Sequence, residues 1–196
     1  SPLRKIAGLI VTRLFVATAG FFASALWAHY FSKETYGRYQ ILTAAISVVA
    51  SMCLTGLDDA ALISAAKRKD GNLRAIRKLR LTASSIGAFV IAGWGVIRYW
   101  EDDPDLAVTF IIAGSLFIPL QLNSIWQAFT NGKGRFRALT LGQILLATGN
   151  LVAVASFVMF DATSSAMLPW VVLLSQALTV VVGIMLQLSL QRLVEN

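Results

Sequence analysis

Apolar and charged positions in this chain are sorted into long blocks. Residues 41–57, 81–97, 106–132, 138–160 and 162–191 contain no Asp, Glu, Lys or Arg, and residues 6–32 are interrupted only by Arg13 and His29. A mostly apolar run of about 17–25 residues is long enough to cross a bilayer as a helix. Six such blocks predict an all-α, polytopic membrane bundle forming one lobe over residues 1–196. The six transmembrane helices are expected near 6–30, 38–65, 81–99, 106–130, 137–160 and 167–190. Pro119 is expected to kink the fourth, whereas Pro169 stands near the start of the sixth, where proline is tolerated. The basic start and small-residue triplet of the first block resemble a secretory signal peptide. The block continues past the triplet and contains Arg13, which favours a first transmembrane helix.

Composition agrees with a membrane protein. The chain is 57% hydrophobic and 14% charged, whereas soluble domains have about a quarter charged residues. A net charge of +7 would by itself suggest a nucleic-acid binder. The charge distribution points elsewhere. The segment AKRKDGNLRAIRKLR, residues 66–80, holds seven Lys or Arg and one acid. With connections alternating sides, it groups with both termini and with residues 133–137. That side then holds thirteen of the seventeen Lys and Arg, against three on the other. Basic excess marks the cytoplasmic side, so both termini are expected there. The run is then a topology-setting loop, able to touch anionic headgroups, and no nucleic-acid partner is expected. Glu34, Glu101, Asp102, Asp103, Asp105 and Asp161 fall on the outer side. Trp27, Tyr30, Tyr36, Tyr99, Trp100 and Trp170 would form its aromatic belt.

Phosphate-cradling P-loops, HExxH and GxSxG are absent, and neither an enzymatic activity nor a cofactor is expected. Cys53 is the single cysteine, and His29 has no metal-ligand partner at suitable spacing. It reads as a polar ring near the interface. Chemistry therefore rests on ionisable groups within the helices, each of which costs about 2.5–3.5 kcal/mol at mid-membrane. Arg13 shares a helical face with Ala17, Gly20 and Ser24, which would point it into the bundle. The alternative is that it snorkels to the surface. Asp58 shares a face with Gln40, Ala44, Ser47 and Ser51, at a depth matching Arg13, so an Arg13–Asp58 ion pair is expected. If the second helix ends early, Asp58 and Asp59 lie at the interface instead. Gln121, Asn123 and Gln127, with Gln143 and Asn150, would line a path or bond between helices.

The segment FSKETYGRYQILTAAISVVASMCLTGLDDAALISAAKR (31–68) resembles the start of the Wzx-type lipid-linked oligosaccharide flippases. SIWQAFTNGKGRFRALTLGQILLATGNL (124–151) is similar to that family's crossing from its fourth to its fifth helix. These flippases belong to the multidrug/oligosaccharidyl-lipid/polysaccharide superfamily, whose members have two lobes. The resemblance implies an N-terminal lobe of a bacterial inner-membrane flippase in O-antigen or exopolysaccharide synthesis. Its substrate would be an undecaprenyl-pyrophosphate-linked oligosaccharide, moved by alternating access. Arg13 is the candidate pyrophosphate ligand, and Asp58, Gln121 and Asn123 are cavity residues. The expected partners are the bilayer, the lipid-linked substrate, and a second six-helix lobe or partner protein. A cation-coupled drug antiporter of the same superfamily would use Asp58. A non-transporting membrane subunit would need a partner over the polar faces of helices 1 and 2.

The topology has a direct measurement. In a Cys53→Ser background, an Asp70→Cys thiol should resist an impermeant maleimide in intact cells and react in inverted vesicles. The reverse pattern would invert the assignment.

Overall fold

The computed structural model describes residues 2–53, 56–67, 71–160 and 164–194. Asp161 and the Arg68–Lys69–Asp70 part of the basic run lie outside them. The described residues are helical, with no strand. In chain order the helices are α1 (Pro2–Tyr30), α2 (Lys33–Met52), α3 (Gly56–Ala66), α4 (Asn72–Trp100), α5 (Pro104–Gly132), α6 (Phe136–Met159) and α7 (Leu168–Val194). A single 3-10 turn, Ser165–Met167, precedes α7. Five helices are long and apolar enough to cross a membrane, or six if α2 and α3 together form one span.

Local chemistry sets several of these ends. The Ser32 hydroxyl accepts the Thr35 N–H at 3.1 Å and opens α2. The Asp103 carboxylate accepts the Leu106 N–H, and Pro104 follows it in the first turn of α5. α5 then runs unbroken through Pro119.

Two boundaries differ from the sequence expectation. The second helix, expected to be continuous over 38–65, is broken into α2 and α3, whose axes diverge by 56°. The third, expected from residue 81, begins at Asn72, so much of the basic run is helical. Hydropathy marks the apolar part of a helix, whereas the hydrogen bonding of α4 extends back over the helix-forming residues 73–79 towards Gly71.

α5 is the centre of the bundle. α4 packs along one side of it and α7 along another, while α3 lies against it as well. α1 packs on α6, and α6 on α7, but α1 barely touches α2. Small residues let α4 and α5 approach closely, as is common within membranes. A Cβ on Gly95 would stand 2.9 Å from the Ala107 carbonyl oxygen, and one on Gly114 3.0 Å from that of Ala88. At the far end of α5, Gly132 sits directly against the Leu62 carbonyl and Ala65 of α3.

The two ends of the bundle carry opposite charge. One, here the acidic end, holds Glu34 and residues 101–105. The other, the basic end, holds Lys67, the start of α4 and the α5–α6 turn. Toward the acidic end lies an apolar cluster that includes Trp27, Phe31, Leu42, Leu106, Phe110 and Leu168. The Trp27 ring stacks on Tyr39 at 4.4 Å and leans on Phe31 at 4.1 Å. Trp27 is therefore not the interfacial residue expected from its position, being only 3% exposed. It ends the packing seam of α1, which runs Thr12, Ala19, Ala23, Trp27. Tyr30, Tyr99, Trp100 and Trp170 remain exposed.

Gly95→Ala should destabilise the bundle by about 1–3 kcal/mol, because its methyl meets backbone that can yield only by separating α4 from α5. Gly93→Ala, where the added carbon meets nothing within 4 Å, should be close to neutral. Thermal unfolding of the two variants in detergent makes the comparison.

Candidate functional site

Two polar sites interrupt the apolar bundle. The first is built on Arg80, which is 3% exposed. Its Nη1 donates to the Cys53 carbonyl at 2.8 Å, at the C-terminal end of α2. Its Nη2 donates to Asp58 Oδ2 at 3.1 Å and to Ser124 Oγ at 2.8 Å. The Ser124 hydroxyl also lies 3.1 Å from Asp58 Oδ1 and 2.8 Å from the Gln121 carbonyl, and its one proton serves one of them at a time. One guanidinium thus joins the end of α2, the first turn of α3, and α5. The fork of donors on arginine suits this role, since a lysine ammonium could not reach the same set in one plane.

Asp58 therefore pairs with Arg80, and the expected Arg13–Asp58 pair is not formed. The expectation extended one helical wheel from α2 into α3, whose axes diverge by 56°. The stripe assigned to the interior of helix 2 is also reversed. Gln40, Ala44, Ser47 and Ser51 are exposed, while Leu42 is buried and Val49 packs towards Gly87 of α4. Ser47 and Ser51 turn their hydroxyls onto the carbonyls of Thr43 and Val48 at 2.7 Å. Satisfied locally, they need no partner in the bundle.

The second site is a cavity of about 440 Å³ bounded by α1, α2, α6 and α7. Leu42 and Ala19 line it, as does Tyr39, whose ring stacks on Trp27. Polar groups enter from every side: Arg13 from α1, Thr43 from α2, Gln143 and Asn150 from α6, and Ser175, Gln176 and Thr179 from α7. Arg13 is the one charged residue among the lining residues, and it makes no ion pair among the described residues. Gln176 Oε1 is buried without a hydrogen-bond partner. A donor-rich cation beside uncommitted amides can hold an anion and orient hydroxyls near it.

The remaining candidates separate. Gln143 and Asn150 reach the cavity, whereas Gln121 and Asn123 do not line it. Asn123 is buried against α7, where Gly183 leaves it room. Its Oδ1 makes no hydrogen bond. Ala17, Gly20 and Ser24, expected to mark the packing face of α1, are exposed, because the seam runs one residue around the helix. His29 is exposed and meets the Tyr30 ring edge-on.

Sequence reasoning missed Arg80, which stood at the end of a loop-like basic run. A signal was present. Arg80, Ser84, Gly87, Ile91 and Gly95 recur every three or four residues and form the buried face of α4. The cation is the first member of a small-residue packing seam.

The fold defines the class as an all-helical, multi-pass membrane protein. No family model, curated protein or solved structure matches the chain.

Arg80→Ala would strand the Asp58 carboxylate and the Cys53 carbonyl, and should lower stability by about 3 kcal/mol. Ser124→Ala removes one neutral hydroxyl and should cost about 1 kcal/mol. Urea or SDS titration of both variants tests the ranking, and equal effects would contradict it.

Proposed function

We propose that this chain is one lobe of a flippase that carries a lipid-linked oligosaccharide, bearing an undecaprenyl pyrophosphate, across the bacterial inner membrane. It would have six membrane-spanning segments, with α2 and α3 as one bent span and both termini cytoplasmic. The observation that carries the reading is Arg13, an exposed cation on an apolar helix that lines a cavity of mixed polar and apolar walls and makes no ion pair among the described residues. A charge held at such a place is retained at a cost unless it meets an anion. The bidentate guanidinium suits pyrophosphate oxygens, and the amides and hydroxyls beside it suit a polar group attached to that phosphate.

The exposed polar stripe of α2, with Arg13 and Ser24 on α1, supports a second lobe facing these helices. Such a lobe would complete the cavity and shield its polar wall from lipid. Alternating access would then consist of rocking between lobes. The Trp27–Tyr39 stack would keep this lobe closed toward its acidic end. A cation antiporter draws less support. That chemistry wants a carboxylate in the cavity, and Asp58 is engaged by Arg80 away from it.

Binding of undecaprenyl pyrophosphate to the chain in phosphatidylcholine nanodiscs tests the assignment. Arg13→Ala should weaken it by about 10–100-fold, the loss of one charge-assisted contact. Arg13→Lys should fall between, since a point charge lacks the bidentate geometry. Undecaprenol, which has no phosphate, should not distinguish the three proteins. Wild-type affinity in Arg13→Ala would remove the arginine from the site.

A further inference from the structure

α4 is longer than the membrane it would cross. Its 29 residues span about 43 Å at 1.5 Å per residue, against a hydrocarbon thickness of about 30 Å. Tyr99 and Trp100, both exposed at its C-terminal end, suit the interface there. The excess of about nine residues therefore falls at the other end, over residues 72–80. Arg80 turns into the bundle, while Arg74, Arg77 and Lys78 stay exposed.

The same end gathers further cations. α4 and α5 are antiparallel, with Arg80 bonded to Ser124, so the start of α4 lies level with the end of α5. Gly132 abuts Leu62 and Ala65 of α3, which brings Lys67 to this level too. The chain then turns into α6, placing Arg135 and Arg137 beside the same end, and no acid stands in the first turn of α6. Arg135 Nη1 is buried and makes no hydrogen bond. Arg80 Nε and Arg98 Nε share that state, but both of those guanidiniums hold a carboxylate. Arg135 has none among the described residues, which leaves its charge for an outside anion. At the acidic end the cations are used differently: Arg38 reaches Glu34 at 2.8 Å and Asp103 at 3.1 Å, and Arg98 reaches Glu101 at 2.6 Å.

We infer that the basic end is a binding surface for the phosphate of an anionic phospholipid headgroup, with Arg135 as its fixed point and Arg74, Arg77 and Arg137 adding field. Its elevation matches the headgroup layer, since it begins where the apolar part of α4 ends. This inference does not depend on the flippase reading, as Arg13 lies in a separate cavity.

Spin-labelled phosphatidylglycerol and phosphatidylcholine, compared by electron paramagnetic resonance on the reconstituted chain, report lipid selectivity at the protein surface. Phosphatidylglycerol should be preferred by about tenfold at low salt, about fivefold from Arg135 as one cation held at the surface and about twofold from the solvated cations around it. The preference should shrink in high salt. Arg135→Gln should reduce it to about twofold, Arg135→Lys should keep most of it, and Lys33→Gln at the acidic end should leave it unchanged. No preference in the wild-type protein would overturn the surface. Full preference in a folded Arg135→Gln protein would overturn the site. The wild-type comparison holds even if that variant fails to fold.

Discussion

A buried guanidinium needs partners for its charge, and α2, α3 and α5 are arranged to supply them to the two Nη atoms of Arg80. Water does not satisfy it inside the apolar bundle, and an unmet donor or charge there is expensive. Among the described residues, partners distant from Arg80 in sequence are the Cys53 carbonyl, the Asp58 carboxylate and the Ser124 hydroxyl. The Cys53 carbonyl is available because α2 stops there. Asp58 can reach the guanidinium because α3 sets off in a new direction. The break and the cation explain each other. A continuous helix would have used that carbonyl for its own ladder.

On the other side of the molecule the constraint is weaker, and a cavity results. α4 and α5 meet through glycine and alanine at near-contact distance, which leaves no room for water or ligand. α1 rests on α6 and hardly touches α2. The gap between them is bridged toward the acidic end by the stacked rings of Trp27 and Tyr39. Below those rings amides, hydroxyls and one arginine are set among apolar walls such as Val16, Ile46 and Leu146. Tight packing is thus spent on the helices that hold the scaffold, while the looser pair is left to meet something else. The exposed polar stripe of α2 belongs to that looser side, with its serines bonded to their own helix.

Charge is also divided by position. At the acidic end Arg38 ties the start of α2 to the α4–α5 connection through Asp103, and Arg98 stays with its neighbour Glu101. At the basic end the cations outnumber the described acids, and Arg80 pairs with Asp58. This asymmetry runs along the same axis as the apolar blocks. The spans and the polarity of their ends therefore share one origin in the preference of each residue for lipid, interface or water.

That shared origin explains what the chain alone determined. Block hydropathy is a local property summed over about twenty residues. It placed the apolar helices near their observed positions and showed Arg13 to be a cation within one of them. It also marked Gln143 and Asn150 as polar groups inside a helix. Tertiary structure decided the rest. Whether Asp58 meets Arg13 or Arg80 depends on an axis change of 56°, which no wheel drawn through the break contains. The face of α2 that packs was set by the space beside Gly87 and by Leu42, not by its serines, because a serine can satisfy itself on its own helix. Arg80 looked like one more loop cation, since its position in a buried seam appears only when α5 lies against α4. Local transfer energies select the segments that enter the membrane, but a buried charge is placed by partners that only the folded chain assembles.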